Sequence, residues 1–489
     1  MSESGLEQKY IKEAFDTNWV VPLGPNVNGF EDDLRNFVNN VATYGQRVGE
    51  ECRCVSEGSN EECRCPGECD QNFRGGTDGL KPCCSDRKHA MLAVPPRDPG
   101  ENSSVTEPQS NGLDKEVVAL SAGTAAVHLA LIACGVGPGD EVCVQSFTFC
   151  ASSHPITYLG AQPVFIDSEP DTWNMDPDLL EKAIQDRIAK TGRKPKAIVP
   201  VALYGMPYDC EKIMDVADKY GIPVIEDAAE GFGSRYKGQV LGTFGRYGVL
   251  SFNGNKMITT SGGGALICPD REAWQTVMMY ATQFRESYPY YQHEKIGYNY
   301  RMSNICAGIG RGQMTVAEDH IAHHRHIAQM YEQLFVDIEG ITFHKGPDFA
   351  AEGSNYWLNT ITVDPSVHVK GQENAYAQIV TGAVGGAAGV IHAANSAHTD
   401  CEPNANVEAL RTGLDAAGIE ARPVWKPMHK QPVYAAAPAY LRPANIFGSD
   451  EASVSEAIFK VGMCLPSGPM VTDEDVRYII DTIKSLIVK

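Results

Sequence analysis

The chain has 489 residues, of which 43% are hydrophobic, so it can bury a large core, and its length suggests two or three domains. Its formal net charge of −21 argues against a nucleic-acid partner, because phosphates would be repelled and no basic stripe offsets them. The first residues are acidic, and the most apolar window, 379–394, is shorter than the ~20 residues of a membrane helix. We therefore expect a cytoplasmic protein without a membrane partner.

The first unusual segment, residues 46–110, is rich in Gly, Pro, Ser and charge. Thiolates at its cysteine density could ligate zinc, or could pair as disulfides in an oxidising compartment. The cysteines are spaced as Cys-x-Cys twice and then Cys-Cys, without the paired Cys-x₂-Cys units of an ordinary zinc site. We predict a disordered insertion and no metal. The cysteines are Cys52, Cys54, Cys63, Cys65, Cys69, Cys83 and Cys84.

A phosphate-binding turn is predicted at residues 121–124, directly before a segment of good helix formers without internal Gly or Pro. Gly123 and Thr124 then lie where a helix begins, and the free N–H groups and positive dipole end there bind anions. The alternative is plain helix capping. Ser251, further along the chain, can add a hydroxyl.

Strand-like and helix-like segments alternate after this turn, which is typical of an α/β protein with a mainly parallel sheet. We predict strands over 140–145, 162–167, 196–201 and 223–226, and helices over 178–190 and 210–220. The polar residues cluster after strand ends, where ligands bind in open α/β sheets.

Two charged residues at such positions predict a pyridoxal phosphate site. Asp227 directly follows the predicted strand at 223–226. Lys256 follows an apolar strand over 247–252 and precedes a glycine triplet. A lysine that forms a Schiff base and an aspartate that keeps the pyridinium nitrogen protonated are what this cofactor requires. Each residue alone has an ordinary interpretation, as a surface charge or a helix cap. The order of turn, aspartate and lysine is much more specific.

A long helical pattern begins near Ala317 and leads to a smaller C-terminal domain. We predict a large domain over 1–320 and a small one over 321–489, with a strand at 357–362 and helices at 406–416 and 473–487. A second, low-complexity insertion over 367–404 interrupts the small domain.

Seven stretches of the chain are informative together: SAGTAAVHLALIACGVGPGDEV, VALYGMP, IPVIEDAAEGFGSRYKG, SFNGNKMITTSGGGALI, GYNYRMSNICAGIGRGQM, EARPVWKPMHKQPVY and GMCLPSGP. They closely resemble the DegT/DnrJ/EryC1/StrS family of pyridoxal phosphate-dependent sugar-nucleotide aminotransferases. They look most like the enzymes that aminate C4 of a UDP-linked 4-keto-6-deoxy sugar, as in bacillosamine biosynthesis. The resemblance implies an aspartate-aminotransferase-like fold, with a mainly parallel central sheet in the large domain and a smaller C-terminal α+β domain. It also implies a homodimer with shared active sites.

The resemblance assigns roles to residues around the cofactor. It implies that Lys256 binds the cofactor covalently and that Asp227 holds the pyridinium nitrogen. It places Gly123, Thr124 and Ser251 around the phosphate. It also places Glu230 at the polar edge of the cofactor ring and stacks Phe147 on that ring.

Further residues resemble positions that approach the partner's site or the substrate. Asn299 matches an asparagine that reaches the partner subunit's phosphate, and Arg301 follows it in the same segment. Local cations for a dianionic sugar nucleotide are Arg301, Arg422 and Lys426. Substrate contacts are predicted from Trp19, Tyr204, Arg301 and His429.

We predict transfer of an amino group from an amino acid, such as glutamate, to a nucleotide-linked keto-deoxy sugar for surface glycan biosynthesis. One alternative is a sugar dehydratase of the same family, but those resemble this chain except for a histidine in place of Lys256. The other is a catalytically inert binding or regulatory protein, in which residues 46–110 block the site or recruit a partner.

Overall fold

The computed structural model describes residues 2, 4–39, 114–376, 401–447 and 453–488. Met1–Ala42 and Asn111–Lys489 form one compact unit. The other unit, Thr43–Ser110, lies outside the described residues, as do residues 377–400. The predicted insertion at 46–110 and its cysteines therefore remain a prediction.

Helices and strands alternate through most of the described chain. The α-helices are α1 (Leu6–Asp16), α2 (Pro25–Asn39), α3 (Gly123–Ala133), α4 (His154–Tyr158), α5 (Pro177–Thr191), α6 (Cys210–Tyr220), α7 (Arg271–Ala281), α8 (Asn304–Met314), α9 (Ala317–Phe335), α10 (Asp348–Ala351), α11 (Ala405–Ala416), α12 (Val454–Val461) and α13 (Asp473–Leu486). The strands are β1 (Glu116–Leu120), β2 (Glu141–Gln145), β3 (Gln162–Ile166), β4 (Ala197–Val199), β5 (Ile225–Asp227), β6 (Arg235–Tyr236), β7 (Gln239–Val240), β8 (Tyr247–Ser251), β9 (Gly264–Cys268), β10 (Ile341–Phe343), β11 (Asn359–Val363), β12 (Arg422–Pro423), β13 (Ala439–Tyr440) and β14 (Gly462–Leu465).

Two four-stranded sheets, in the orders β1-β9-β8-β5 and β13-β3-β2-β4, meet where β5 lies parallel to β4. The parallel bridges Ile198↔Val224 and Val201↔Asp227 join them. Within the joined sheet, β9 pairs antiparallel with both of its neighbours, and the other pairs are parallel. The predicted α/β fold with a mainly parallel central sheet is confirmed.

The strands are apolar and buried because helices cover the sheet. Residues of β2, β4, β5 and β8 are almost all buried, which is typical of parallel strands that are covered on both faces. The Asp176 side chain caps α5 and the Asp209 side chain caps α6, and both helices end at a left-handed glycine, Gly192 and Gly221. These local signals explain why the predicted bounds of both helices agree with the structure within one residue.

A separate antiparallel sheet, in the order β10-β11-β14-β12, lies in the C-terminal part of the chain. Apolar side chains of α9, α11 and α13 pack with it into a core of their own, which includes Tyr331, Ile361, Leu410 and Ile480. This arrangement fits the predicted α+β character of the region.

Both flanks of the predicted insertion at 367–404 pack into the described fold. Val369 is fully buried and pairs with Ile487 beyond α13, and Cys401 is also buried. Apolar contacts with the small sheet hold these flanks, which composition alone does not indicate. Residues 377–400 in the middle lie outside the described residues. Among the helices that the structure describes, none combines the length and apolar character needed to cross a bilayer.

Candidate functional site

A cavity of about 320 Å³ opens where β5, β8 and the start of α3 come together. Its lining includes Gly123, Thr124, Asp227, Ser251 and Lys256, which are far apart in sequence. The structure thus brings together the turn, the aspartate and the lysine that the sequence singles out. Among the described residues, no group of three or more His, Cys, Asp or Glu side chains is placed to hold a metal ion.

The start of α3 forms one end of this cavity. Its N-cap residue, Ala122, has no side chain that could accept a hydrogen bond from the first turn, so the N–H groups there are available to another acceptor. A side chain at Gly123 would meet Ser251 Cβ at 3.0 Å and Oγ at 3.2 Å, so only glycine leaves this space open. The turn has the donors and the room to hold a phosphate.

The Asp227 carboxylate forms a buried acidic wall of the cavity. Ser152 Oγ donates to its Oδ2 at 2.6 Å, and the Ala229 N–H donates to its Oδ1 at 3.2 Å. Burial raises the pKa of Asp227, while these hydrogen bonds and the charge of Lys256 oppose that rise. A protonated ring nitrogen beside Asp227 would add a further cation that favours the carboxylate.

Lys256 lies in the turn after β8 and extends its amine toward a second carboxylate. Its Nζ is 3.8 Å from Oε1 of Glu230, and the two side chains are only 13% and 4% exposed. The Tyr204 N–H donates to Oε2 of Glu230 at 2.7 Å and fixes that carboxylate. Burial raises the pKa of Glu230, and the Lys256 charge opposes it. The Lys256 amine is therefore largely buried beside a carboxylate rather than exposed to solvent at the surface.

Phe149 lies on the cavity wall, together with Trp357 and Trp425, whereas the predicted Phe147 does not. Phe147 is fully buried, with its ring centroid 6.4 Å from that of Trp173 and 6.4 Å from that of Tyr204. It follows β2 closely enough to stay in the core, whereas Phe149 lies beyond the point where the chain turns outward and is 51% exposed. The structure therefore places Phe147 away from the cavity in which it is predicted to stack on the ring.

Two predicted substrate residues are buried and occupied by internal contacts. His429 Nδ1 lies 2.6 Å from Ser146 Oγ, and its Nε2 lies 3.1 Å from Glu456 Oε1. The Tyr204 hydroxyl accepts a hydrogen bond from the Trp425 N–H at 2.7 Å. Both residues hold neighbouring chain in place instead of lining the cavity, because their polar atoms are used within the fold.

The other residues predicted to reach substrate or partner are not brought to this cavity. Trp19 is 40% exposed on the chain after α1, and Asn299 is an exposed residue in the segment that bridges to Thr282. Arg301 is mostly buried, and its guanidinium pairs with Glu31 of α2 and donates to the Ala119 carbonyl at 2.9 Å. The structure does not support the substrate role predicted for Arg301, since its charge is paired with Glu31 inside the fold.

Replacing Arg301 with methionine is therefore expected to lower stability rather than substrate affinity. The substitution leaves the buried Glu31 carboxylate without its cation, which costs about 3 kcal/mol or more. Urea unfolding followed by circular dichroism measures the loss. Arg422→Met is the matched control, because its ion pair with Glu420 is largely exposed and contributes little. A raised KM for substrate with unchanged stability would restore the predicted role.

A second cavity, of about 560 Å³, adjoins the first and shares Thr148, Phe149 and Trp425 with it. The Phe149 and Trp425 rings are 5.6 Å apart, centroid to centroid. His154, Lys426 and Gln431 are polar residues on its wall. The two aromatic rings thus stand between a site for a small cofactor and a larger space.

Sequence reasoning missed Ser152, Trp357 and Trp425, which all lie on the first cavity. Ser152 is the third residue after Phe149, so the outward turn of the chain after β2 brings both to the site. Trp357 and Trp425 belong to the C-terminal part of the chain, and no local pattern marks them.

Comparison with known proteins places this site in a family. The model of the "DegT/DnrJ/EryC1/StrS aminotransferase family" matches residues 111–385 and 386–484. The chain belongs to the DegT/DnrJ/EryC1/StrS aminotransferase family. Its predicted activity as an aminotransferase and its predicted cofactor, pyridoxal phosphate, are confirmed.

Individual relatives match about three quarters of this chain or more, and some match nearly all of it. EpsN of Bacillus subtilis, whose name describes a pyridoxal phosphate-dependent aminotransferase, is 36% identical over 483 residues, which cover 99% of this chain and 93% of EpsN. GDP-perosamine synthase of Escherichia coli O157:H7 is 34% identical over 364 residues, which cover 74% of this chain and 84% of that synthase. A DegT/DnrJ/EryC1/StrS aminotransferase from Brucella abortus has a similar fold, with a TM-score of 0.69 at 22% identity. The match covers 99% of this chain and 96% of the Brucella protein.

The residues of the first cavity fit pyridoxal phosphate. The uncapped start of α3 suits the phosphate, the buried Asp227 carboxylate suits a protonated ring nitrogen, and Lys256 suits the aldehyde. The side chain that Gly123 lacks would fill the space at the phosphate end.

Proposed function

We propose that this sugar aminotransferase uses Lys256 and Asp227 as its two central catalytic residues and that its substrate is a nucleotide-linked keto-deoxy sugar. The single observation that supports this most is the meeting of Asp227, Lys256 and the start of α3 on one cavity. The amino donor is an amino acid, with L-glutamate as the first choice.

Each residue has one task in this proposal. Pyridoxal phosphate, when bound, supplies an electron sink for the carbon that loses a proton. Gly123, Thr124 and Ser251 orient it through its phosphate, and Asp227 holds a proton at its ring nitrogen. Lys256 Nζ carries a proton to and from the reacting carbon, because a positioned amine can act in turn as base and acid.

The second cavity is the place that we assign to the nucleotide part of the substrate. It shares a wall with the cofactor cavity, so a ligand could occupy both at once. Phe149 and Trp425 offer aromatic faces for a sugar or a base, and the Lys426 side chain adds positive charge near the diphosphate. GDP-perosamine synthase carries a nucleotide sugar in its name, which supports this substrate class.

A panel of keto sugars tests the substrate directly. Purified protein is incubated with glutamate and with UDP-, GDP- or dTDP-linked 4-keto-6-deoxy sugars, and mass spectrometry detects the aminated product. Our first expectation, based on the sequence resemblance, is the UDP-linked sugar. Amination of simple keto acids but of no sugar nucleotide would overturn the proposed substrate class.

We also propose a homodimer in which Asn299 completes the partner's phosphate site. Asn299 is exposed, and on either side of it Tyr298 and Tyr300 pack against His128 of α3, with ring centroids 4.9 Å and 5.9 Å away. The segment is therefore anchored from behind while Asn299 faces outward.

Mixing two inactive variants is expected to restore activity if the sites are shared. A heterodimer of Lys256→Ala and Asn299→Ala subunits contains one site with both native residues. Random pairing should thus recover about a quarter of the wild-type sites, since the symmetric interface pairs subunits freely. Turnover after co-refolding measures this. Lys256→Ala mixed with Asp227→Asn is the control, because both changes lie in the same subunit's site and should not complement. No recovery in the first mixture would count against the shared site.

A further inference from the structure

The free amine of Lys256 has an aromatic partner as well as an acidic one. Its Nζ lies 4.1 Å from the ring centroid of Trp357. Trp357 is 3% exposed, so its ring meets the amine away from bulk solvent. Indole is the strongest of the aromatic side chains in attracting a cation, and the attraction grows when water is excluded.

The edge of the same indole holds the backbone beside Lys256. Trp357 Nε1 donates to the Asn255 carbonyl at 2.7 Å. On the other side of the lysine, His320 of α9 places Nδ1 3.2 Å from the Met257 carbonyl. Two residues distant in sequence thus fix the carbonyls immediately before and after Lys256.

Trp357 is itself held firmly. Its N–H donates to Asn355 Oδ1 at 2.8 Å, and Asn355 Nδ2 donates to the Glu230 carbonyl at 2.9 Å. The preceding residue, Tyr356, has φ 48°, a left-handed conformation that a tyrosine seldom adopts. His324 Nδ1 lies 3.1 Å from the Tyr356 carbonyl and helps to maintain this conformation. The surroundings therefore determine the position of the ring.

We propose that Trp357 is the positioning residue for Lys256, holding the ammonium group with its face and the adjoining backbone with its edge. The proposal rests on the proposed function of Lys256 and on the covalent attachment of the cofactor to Lys256 that the family resemblance implies. A donor amine that displaces the lysine releases its side chain, which has many rotamers. The indole and Glu230 confine the released amine near the reacting carbon, so that fewer side-chain conformations have to be sampled before it reacts.

Graded replacement of Trp357 tests this in the full chain. The readout is the rate at which added pyridoxal phosphate becomes covalently attached to cofactor-free protein, trapped with borohydride. Trp357→Phe keeps an aromatic face and is expected to slow attachment only a few-fold, whereas Trp357→Leu should slow it roughly tenfold or more. Trp274→Phe is the matched control, because Trp274 also lies under a cation, Arg271, and donates to a carbonyl, that of Val117. It should leave the rate unchanged.

Fluorinated tryptophan separates the ring's electrostatics from its shape. Each added fluorine weakens the attraction for a cation while the side chain keeps nearly the same size. Attack on the aldehyde of the cofactor needs the neutral amine, so the ammonium must first release its proton. Protein made with mono- and difluorotryptophan stabilises the ammonium less, and its attachment rate should therefore reach half of its maximum at progressively lower pH. The same labelling of Trp357→Phe protein should have no effect.

The outcomes distinguish this inference from the proposed function. If the trapped cofactor is on a peptide other than the one with Lys256, the proposed function fails. If it is on Lys256 but the pH of half-maximal rate is insensitive to fluorination, or the rate is equal in the Phe and Leu variants, the role of Trp357 is overturned.

Discussion

Lys256→Ala protein is expected to fold and to bind pyridoxal phosphate through Gly123, Thr124 and Ser251, yet to lose transamination. In the proposed function, the substitution removes both the covalent anchor of the cofactor and the amine that moves the proton. We expect turnover to fall on the order of 10⁴-fold, the upper range for loss of a general acid–base group. Single-turnover amination with glutamate, with product counted by mass spectrometry, measures the loss.

A small primary amine added to the Lys256→Ala reaction gives the specific check. A diffusing amine can take over the proton transfer in the space that the side chain leaves, so part of the activity should return with rising amine concentration. Lys237→Ala is the control, because Lys237 lies on the surface in an exposed ion pair with Glu211. Turnover of the Lys256→Ala protein within about tenfold of wild type would refute the assignment.

Asp227→Asn is expected to be the second most damaging change. Asparagine has nearly the same shape and can still accept from Ser152, but it cannot hold a proton at the ring nitrogen by charge. Loss of a preorganised charge at a reacting group costs roughly 10²- to 10³-fold in turnover. Glutamate-dependent single turnover and the dissociation rate of the cofactor both report the change.

Ser152→Ala is the control for Asp227→Asn. It removes the 2.6 Å hydrogen bond and leaves the carboxylate, so turnover should fall much less than in Asp227→Asn. Equal losses in the two variants would mean that the orientation of residue 227, and not its charge, limits the reaction.

The central part of the site could be predicted because its signals are local. A strand end followed by a carboxylate, a strand followed by a lysine and a turn before a helix are each written in a few consecutive residues. Their convergence follows from the sheet, since β5 and β8 are parallel neighbours and α3 begins beside β8. The same reasoning placed Phe147 rather than Phe149 at the cofactor ring, because the turn that separates them has no marked sequence signal.

Contacts between distant segments were beyond the reach of sequence reasoning. In the sequence, Arg301 looks like a cation that binds a ligand. In the structure, Glu31 of α2, near the start of the chain, pairs with it. Trp357 reaches Lys256 from the segment before β11, and no periodic pattern connects the two. Such pairings depend on how the elements pack, and a single sequence contains no direct measure of that.

The pairing of β1 with β9 has a consequence for when the protein becomes competent during its synthesis. Leu120, which ends β1 just before the phosphate-binding turn, is paired with Gly264, and that glycine has no room for a side chain because one would lie 2.4 Å from the Gly123 nitrogen. The turn at 121–124 therefore gains its support only after β9 has left the ribosome. Trp357 and Trp425 emerge later still. The nascent chain thus has Lys256 before it has the Trp357 ring beside that lysine, and the cavity is complete only near the end of translation.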